Sequence, residues 1–204
     1  MRSVSIAQLD AEERAGIYSF LARVLSTRPT LDSVWGLCQM AEAFGFGRLA
    51  HLPLEELDRE YQELFVIPNP RYVAPYESVV RQGRGSVDTV PDVRAGSQAS
   101  HKLIFCELAQ EVGEYCREAG LKTGQESPDH IGSELKVMAY LLWRQAHSSE
   151  SEASRLASVR SEFRQKHLLQ WIGTAREMVA ERDKLGYYHN AYRLVEAVIE
   201  EDQE

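Results

Sequence analysis

Cysteine is scarce in this 204-residue chain, and the little there is does not pair. Cys38, Cys106 and Cys116 are odd in number and form no Cys-x-x-Cys, so neither a disulfide framework nor a zinc site is expected; reduced thiols in a cytoplasm fit. Long apolar runs are missing as well. Nothing approaches the ~18 to 20 residues of a membrane-spanning helix, so no stable membrane insertion is expected. The opening MRSVSIAQLDAEERAG has no apolar run behind its arginine and is not expected to act as a secretory signal. Positive charge is in deficit, with 23 Lys and Arg against 31 Asp and Glu and a formal net charge of -8. Such a chain repels nucleic acid phosphates, whereas it would attract a basic segment of a partner. Nucleotide and acyl-transfer motifs are absent: GRGS at 83–86 is too short for a P-loop and lacks its Lys, and no Gly-x-Ser-x-Gly occurs. None of the six histidines follows a Glu by three residues, which removes the Glu-x-x-His pairs of di-iron bundles. No catalytic residue, metal or cofactor is expected.

What is present is helical periodicity. Apolar residues make up 44% and charged residues 26% of the chain, an ordinary globular composition, and the length suits one sizeable core or at most two small ones. Asp10 with Glu13 reads as a capping box opening a helix with apolar face Ile17, Tyr18, Leu21, Val24 and Leu25. A second stripe runs from Leu31 to Met40 and stops at Gly45 and Gly47; a third, after Pro53, carries Leu54, Leu57, Tyr61, Leu64 and Phe65. Residues 66 to about 97 hold four prolines and three glycines without a period, and a connection of that length is uncommon inside a domain unless it has a function or is disordered. Helices resume near Ser97, with a stripe from Leu103 to Ala119. Another opens at Ser127, a good N-cap with Pro128 in the first turn, and is lined by Ile131, Leu135, Met138, Ala139 and Leu142. A polar junction at 147–154 precedes a run from Leu156 to Val179 that bends near His167, and a last helix starts near Gly186. The pattern predicts an all-α, single-domain helical bundle over residues 1–204, with a long irregular loop at about 66–97.

Two short constellations carry chemistry. In SPDHIGSEL, His130 and Glu134 share a helix face at i and i+4, with Asp129 beside them. A metal site would need two more ligands, and no partner motif supplies them. Asp129 can simply favour the positive helix end, worth ~0.3 to 1 kcal/mol, and His130 with Glu134 reads equally as a solvated pair. In PYES, Glu77 and Ser78 read as a polar pair capping their own loop. Trp171 reads as core.

The order of these blocks resembles the TorD/DmsD/NarJ family of molybdoenzyme-specific chaperones. YQELF followed by a proline-bounded PYES is similar to that family's first block, and SPDHIGSEL with MAYLL to its second, with EYCREAGL before it. FRQKHLLQWI and a terminal helix with paired tyrosines complete a likeness spanning roughly residues 10 to 200. The resemblance implies a TorD-like helical, cytoplasmic, non-enzymatic chaperone that binds the twin-arginine signal peptide of a molybdenum-cofactor oxidoreductase precursor. Binding would delay export until cofactor insertion and hand-off to the twin-arginine translocase. It further implies a peptide site of Tyr61, Leu64, Phe65, Pro75, Tyr76, Glu77 and Ser78 with Asp129, His130 and Glu134. The chain departs from many relatives in its glycine-containing stretch at 79–100.

On that expectation the apolar part of the leader lies against Leu64 and Phe65 as a helix in a groove, and its arginines meet Asp129, Glu134 or Glu77. Exposed pairs contribute about 0 to 1 kcal/mol each against about 1.5 to 3 for a buried Leu or Phe, so the arginines would set register more than affinity. Two other readings stand beside this one. A nitrate-reductase-type assembly chaperone would act on a non-exported catalytic subunit; a helical metal- or nucleotide-dependent enzyme would use His130 and Glu134. Oligomeric state stays open between monomer and dimer, with the 147–154 junction a possible swapping hinge.

Overall fold

Asp10 opens the first helix as its sequence predicts: its side chain accepts from Glu13 N–H, and the Glu13 carboxylate accepts from Asp10 N–H. The chain is seen in a computed structural model that describes residues 5–47, 49, 52–82, 107–118, 121 and 127–202. Helix α1 (Ala11–Ser26) is followed by α2 (Leu31–Ala43), capped by Thr30, and by α3 (Leu54–Tyr61). A wide turn, Gln62–Val66, extends α3, with Ile67 N–H reaching back five residues to Gln62 O. Then come α4 (Glu77–Arg81), α5 (Glu107–Glu118), α6 (Ile131–Ala146) and α7 (Glu150–Phe163). A second wide turn, Arg164–Leu168, sits where the bend near His167 is expected and leads into α8 (Leu169–Arg182). Gly186, at φ 71°, supplies the left-handed turn before α9 (Tyr187–Glu201). The described residues contain no strand, only an isolated antiparallel bridge between Tyr76 and His130. The fold is all-α, as expected.

The core is centred on α1 against α6, the most extensive helix pairing among the described residues. Tyr18, Leu21, Ala22 and Leu25 of α1 face Ile131, Leu135, Met138 and Leu142 of α6 in one buried cluster. The two helices meet so closely at Gly132 that a Cβ there would fall 1.6 Å from Ser26 Oγ and 3.2 Å from Ala22 O. Helix α9 adds Tyr188, Tyr192, Val195 and Val198, all fully buried. Full burial of a large apolar side chain stabilises by roughly 1.5 to 3 kcal/mol. At the end of α9, Asp202 accepts from Arg14 at 2.8 Å, Arg160 at 2.5 Å and the Tyr18 hydroxyl at 3.0 Å, linking α1, α7 and α9. Burial and the Asp202 carboxylate hold the Tyr18 hydroxyl well above its usual range.

Two local expectations change. The irregular loop is not irregular throughout: Glu77–Arg81 is a helix, because Asp129, from a distant segment, accepts its first N–H groups. Residues 83–97 of that loop, Cys106 and the helix start near Ser97 lie outside the described residues. Ser127 is not the cap of α6; His130 is, its Nδ1 accepting from Gly132 N–H at 3.0 Å. Cys116 is buried as expected.

Candidate functional site

Pro75 and Asp129 are brought together by backbone before any side chain acts. Ile131 N–H donates to Pro75 O and Glu77 N–H to Asp129 O, both at 2.9 Å, so the PYES and PDHI segments lie antiparallel for one residue pair. Side chains then fasten the join. Asp129 Oδ2 accepts from Ser78 N–H at 3.1 Å, while Oδ1 accepts from the Ser127 hydroxyl. The Tyr76 ring stands edge-on to the His130 imidazole, centroids 5.2 Å apart. Of the first-turn donors that every helix leaves unsatisfied, Glu77 and Ser78 of α4 are thus met by Asp129, and Ile131 of α6 by Pro75.

Beneath this join lies a buried polar layer. Glu77, with no exposed surface, accepts from Arg81 at 2.6 Å through Oε1 and pairs with His167 Nδ1 at 2.9 Å through Oε2. Glu134, equally buried, accepts the Trp171 indole N–H at 3.0 Å. Burial pushes the Glu134 carboxyl well above its ordinary value, and the neighbouring Glu77 and Asp129 charges push it further; the Trp171 donation opposes them. Glu134 is therefore biased toward its protonated form.

The sequence-predicted residues separate into two groups. Pro75, Tyr76, Glu77, Ser78, Asp129, His130 and Glu134 come together in the join just described. Tyr61, Leu64 and Phe65 go elsewhere: Leu64 has no exposed surface, and Phe65 packs on Tyr188 and Tyr192 of α9, with centroids 5.2 and 6.1 Å away. The solvated His130–Glu134 pair is not what forms; Asp129 is 1% exposed and His130 5%. None of the three carboxylates in the join is open to a partner's guanidinium. Sequence reasoning missed His167 and gave Trp171 no polar role, although their i, i+4 spacing within HLLQW puts both on the face that meets Glu77 and Glu134. No group of three or more His, Cys, Asp or Glu residues suited to a metal ion occurs among the described residues.

Fold and join define an all-helical protein whose two signature blocks brace one another around a buried acid. The sequence model of the family described as nitrate reductase delta subunit matches residues 30–177, across both blocks. The chain belongs to the TorD/DmsD/NarJ family. It is similar to the Chaperone protein TorD of Shewanella pealeana, 23% identical over 151 residues, covering 74% of this chain and 61% of that protein. With the Chaperone protein TorD of Vibrio cholerae strain M66-2 it shares 27% over 152 residues, 72% of this chain and 61% of the relative. It thus spans about three-fifths of the length of these curated relatives. A solved putative redox enzyme maturation protein from Archaeoglobus fulgidus is 21% identical, with a TM-score of 0.40 over 72% of this chain and 91% of that one.

Proposed function

We propose that this chain is a non-enzymatic, cytoplasmic chaperone of molybdoenzyme assembly. It acts as a single domain, monomeric or dimeric, and binds the twin-arginine signal peptide of a molybdenum-cofactor oxidoreductase precursor. Binding delays export until the cofactor is in place, after which the precursor passes to the twin-arginine translocase. The observation that carries this reading is the family match over residues 30–177, which takes in both signature blocks; relatives bearing the name chaperone support it. The geometry supports it differently from the simplest expectation. Pro75, Glu77, Ser78, Asp129, His130 and Glu134 shape the peptide surface from beneath, and the half-buried Tyr76 reaches its edge. Tyr61, Leu64 and Phe65 anchor the neighbouring wall through α9.

A second reading is favoured by the description of the matched family, nitrate reductase delta subunit: assembly of a catalytic subunit that has no exported leader. The experiment that tests both is calorimetric titration against twin-arginine leaders from the host genome, each with a Lys-Lys control, alongside co-purification from host extract. Saturable binding to a leader, weakened in its control, supports the first reading. Failure with every leader together with capture of a leaderless molybdoenzyme subunit moves the function to the second.

A further inference from the structure

We propose that the cleft between α5, α7 and the wide turn before α8 seats an arginine-bearing segment of the partner protein. Glu111, Glu114 and Glu118 are its guanidinium acceptors at the walls, and His167 Nε2 is the acceptor on its floor. The identity of that segment as a leader rests on the chaperone reading above; the chemistry of the cleft does not.

The carboxylates of the two signature blocks are enclosed and engaged, so arginines must be met elsewhere. The cleft has a volume of about 670 Å³, within the ~300 to 1,000 Å³ range of ligand sites. Glu111, Glu114 and Glu118 are exposed and stand at i, i+3 and i+7 on one face of α5. At ~1.5 Å rise per residue they form an acidic stripe on the order of 10 Å long. The cleft's two cations are already taken: Lys166 pairs with Glu162 at 2.5 Å and Arg81 with the enclosed Glu77 at 2.6 Å. Leu108, Tyr115 and Val159 also line the cleft and offer apolar surface for an aliphatic stem.

His167 supplies an observation independent of the acids. Its side chain is only 1% exposed, and its Nδ1 faces Glu77 Oε2 at 2.9 Å. With the proton on Nδ1, facing the Glu77 carboxylate, the neutral tautomer presents Nε2 as an acceptor. Among the described residues Nε2 has no hydrogen-bond partner, although a buried polar atom without one is costly. The ring lines the cleft, and an N–H donor seated there can supply that partner. Anionic ligands are disfavoured by the three exposed glutamates of α5. A guanidinium carries five N–H donors in one plane and can join a ring nitrogen to a carboxylate.

The test uses the full chain and a Glu111→Gln/Glu114→Gln/Glu118→Gln variant. Because all three positions are exposed, the variant's melting temperature should match the wild type. Each protein is titrated with a synthetic twin-arginine leader and with a designed amphipathic helix that carries paired arginines but derives from no leader. Expected are saturable binding of both probes by the wild type and a roughly tenfold weaker Kd in the variant. Equal binding of the probes by both proteins overturns the cleft assignment and leaves the chaperone reading standing. Binding of the designed helix alone, lost in the variant, upholds the cleft and overturns the leader reading. No saturable binding of either probe overturns both.

Discussion

Trp171 Nε1 donates to Glu134 Oε2 at 3.0 Å, so α8 is tied to the first turn of α6 by an indole and a buried acid. Trp171→Phe keeps most of the apolar volume and removes the donor. Leaving a buried acceptor unmatched costs about 1 to 3 kcal/mol. Urea denaturation should show a loss of that size beyond a small volume effect, with the m-value unchanged.

The same acid gives a pH signature. Because burial and Glu77 raise the folded Glu134 pKa above its ordinary value of 4.5, the folded state binds the extra proton. Its contribution to stability is complete below that ordinary value and is lost as pH rises through the raised folded value. Glu134→Gln is a neutral mimic that cannot lose a proton. Melting curves from acid to alkaline pH should show the variant losing less stability than the wild type over that interval; parallel curves would mean that Glu134 is ionised in the fold.

Asp129 separates shape from recognition. Asp129→Ala removes the side-chain acceptor of Ser78 N–H and of the Ser127 hydroxyl, a loss comparable to deleting a helix cap, about 0.5 to 2 kcal/mol. Asp129→Asn keeps one carbonyl oxygen for Ser78 and should recover part of it. If Asp129 shapes the peptide surface from beneath, leader affinity should fall in step with melting temperature along Asp, Asn, Ala. A fall in affinity with unchanged melting temperature would instead place the carboxylate in direct contact with the peptide.

Gly132 is where α1 and α6 come closest. Gly132→Ala puts a methyl into Ser26 Oγ and against the Ala22 carbonyl, and overpacking of this kind costs typically ~1 to 3 kcal/mol. Ser26→Gly should relieve the side-chain clash but not the backbone one. A double-mutant cycle should therefore return a favourable coupling smaller than the Gly132→Ala penalty.

Much of this was legible in the residues, where local chemistry decides. The Asp10–Glu13 box, the stop at Gly45, the left-handed Gly186 and the 3.6-residue stripes all act within one or two turns, so sequence neighbours carry the information. Where partners are distant the reading fails for a physical reason. Ser127-Pro128 has every local mark of a helix start, yet the pairing of Pro75 and Glu77 with residues 129–131 holds that segment extended and moves the cap to His130. Helix α4 looks like loop because its first N–H groups are met 51 and 52 residues away. Glu134 reads as a solvated partner of His130 because its real neighbours, Trp171 and Glu77, lie on other elements. Burial of charge is a tertiary property, and a helical wheel is silent about it.

The two wide turns have a consequence for how this chain tolerates change in length. Each adds one residue to a helical circuit, at Gln62–Val66 and Arg164–Leu168. Since one residue corresponds to roughly 100° of helical rotation, each wide turn absorbs that extra step locally, and removing one residue from the second turn would restore a regular helix with α8 left in phase. Removing one residue from the regular start of α8 would instead swing Trp171 off Glu134. Across this stretch phase matters more than side-chain identity: a conservative substitution alters one contact, while a one-residue gap realigns a whole helix. Alignments that close such a gap would join residues that face opposite ways.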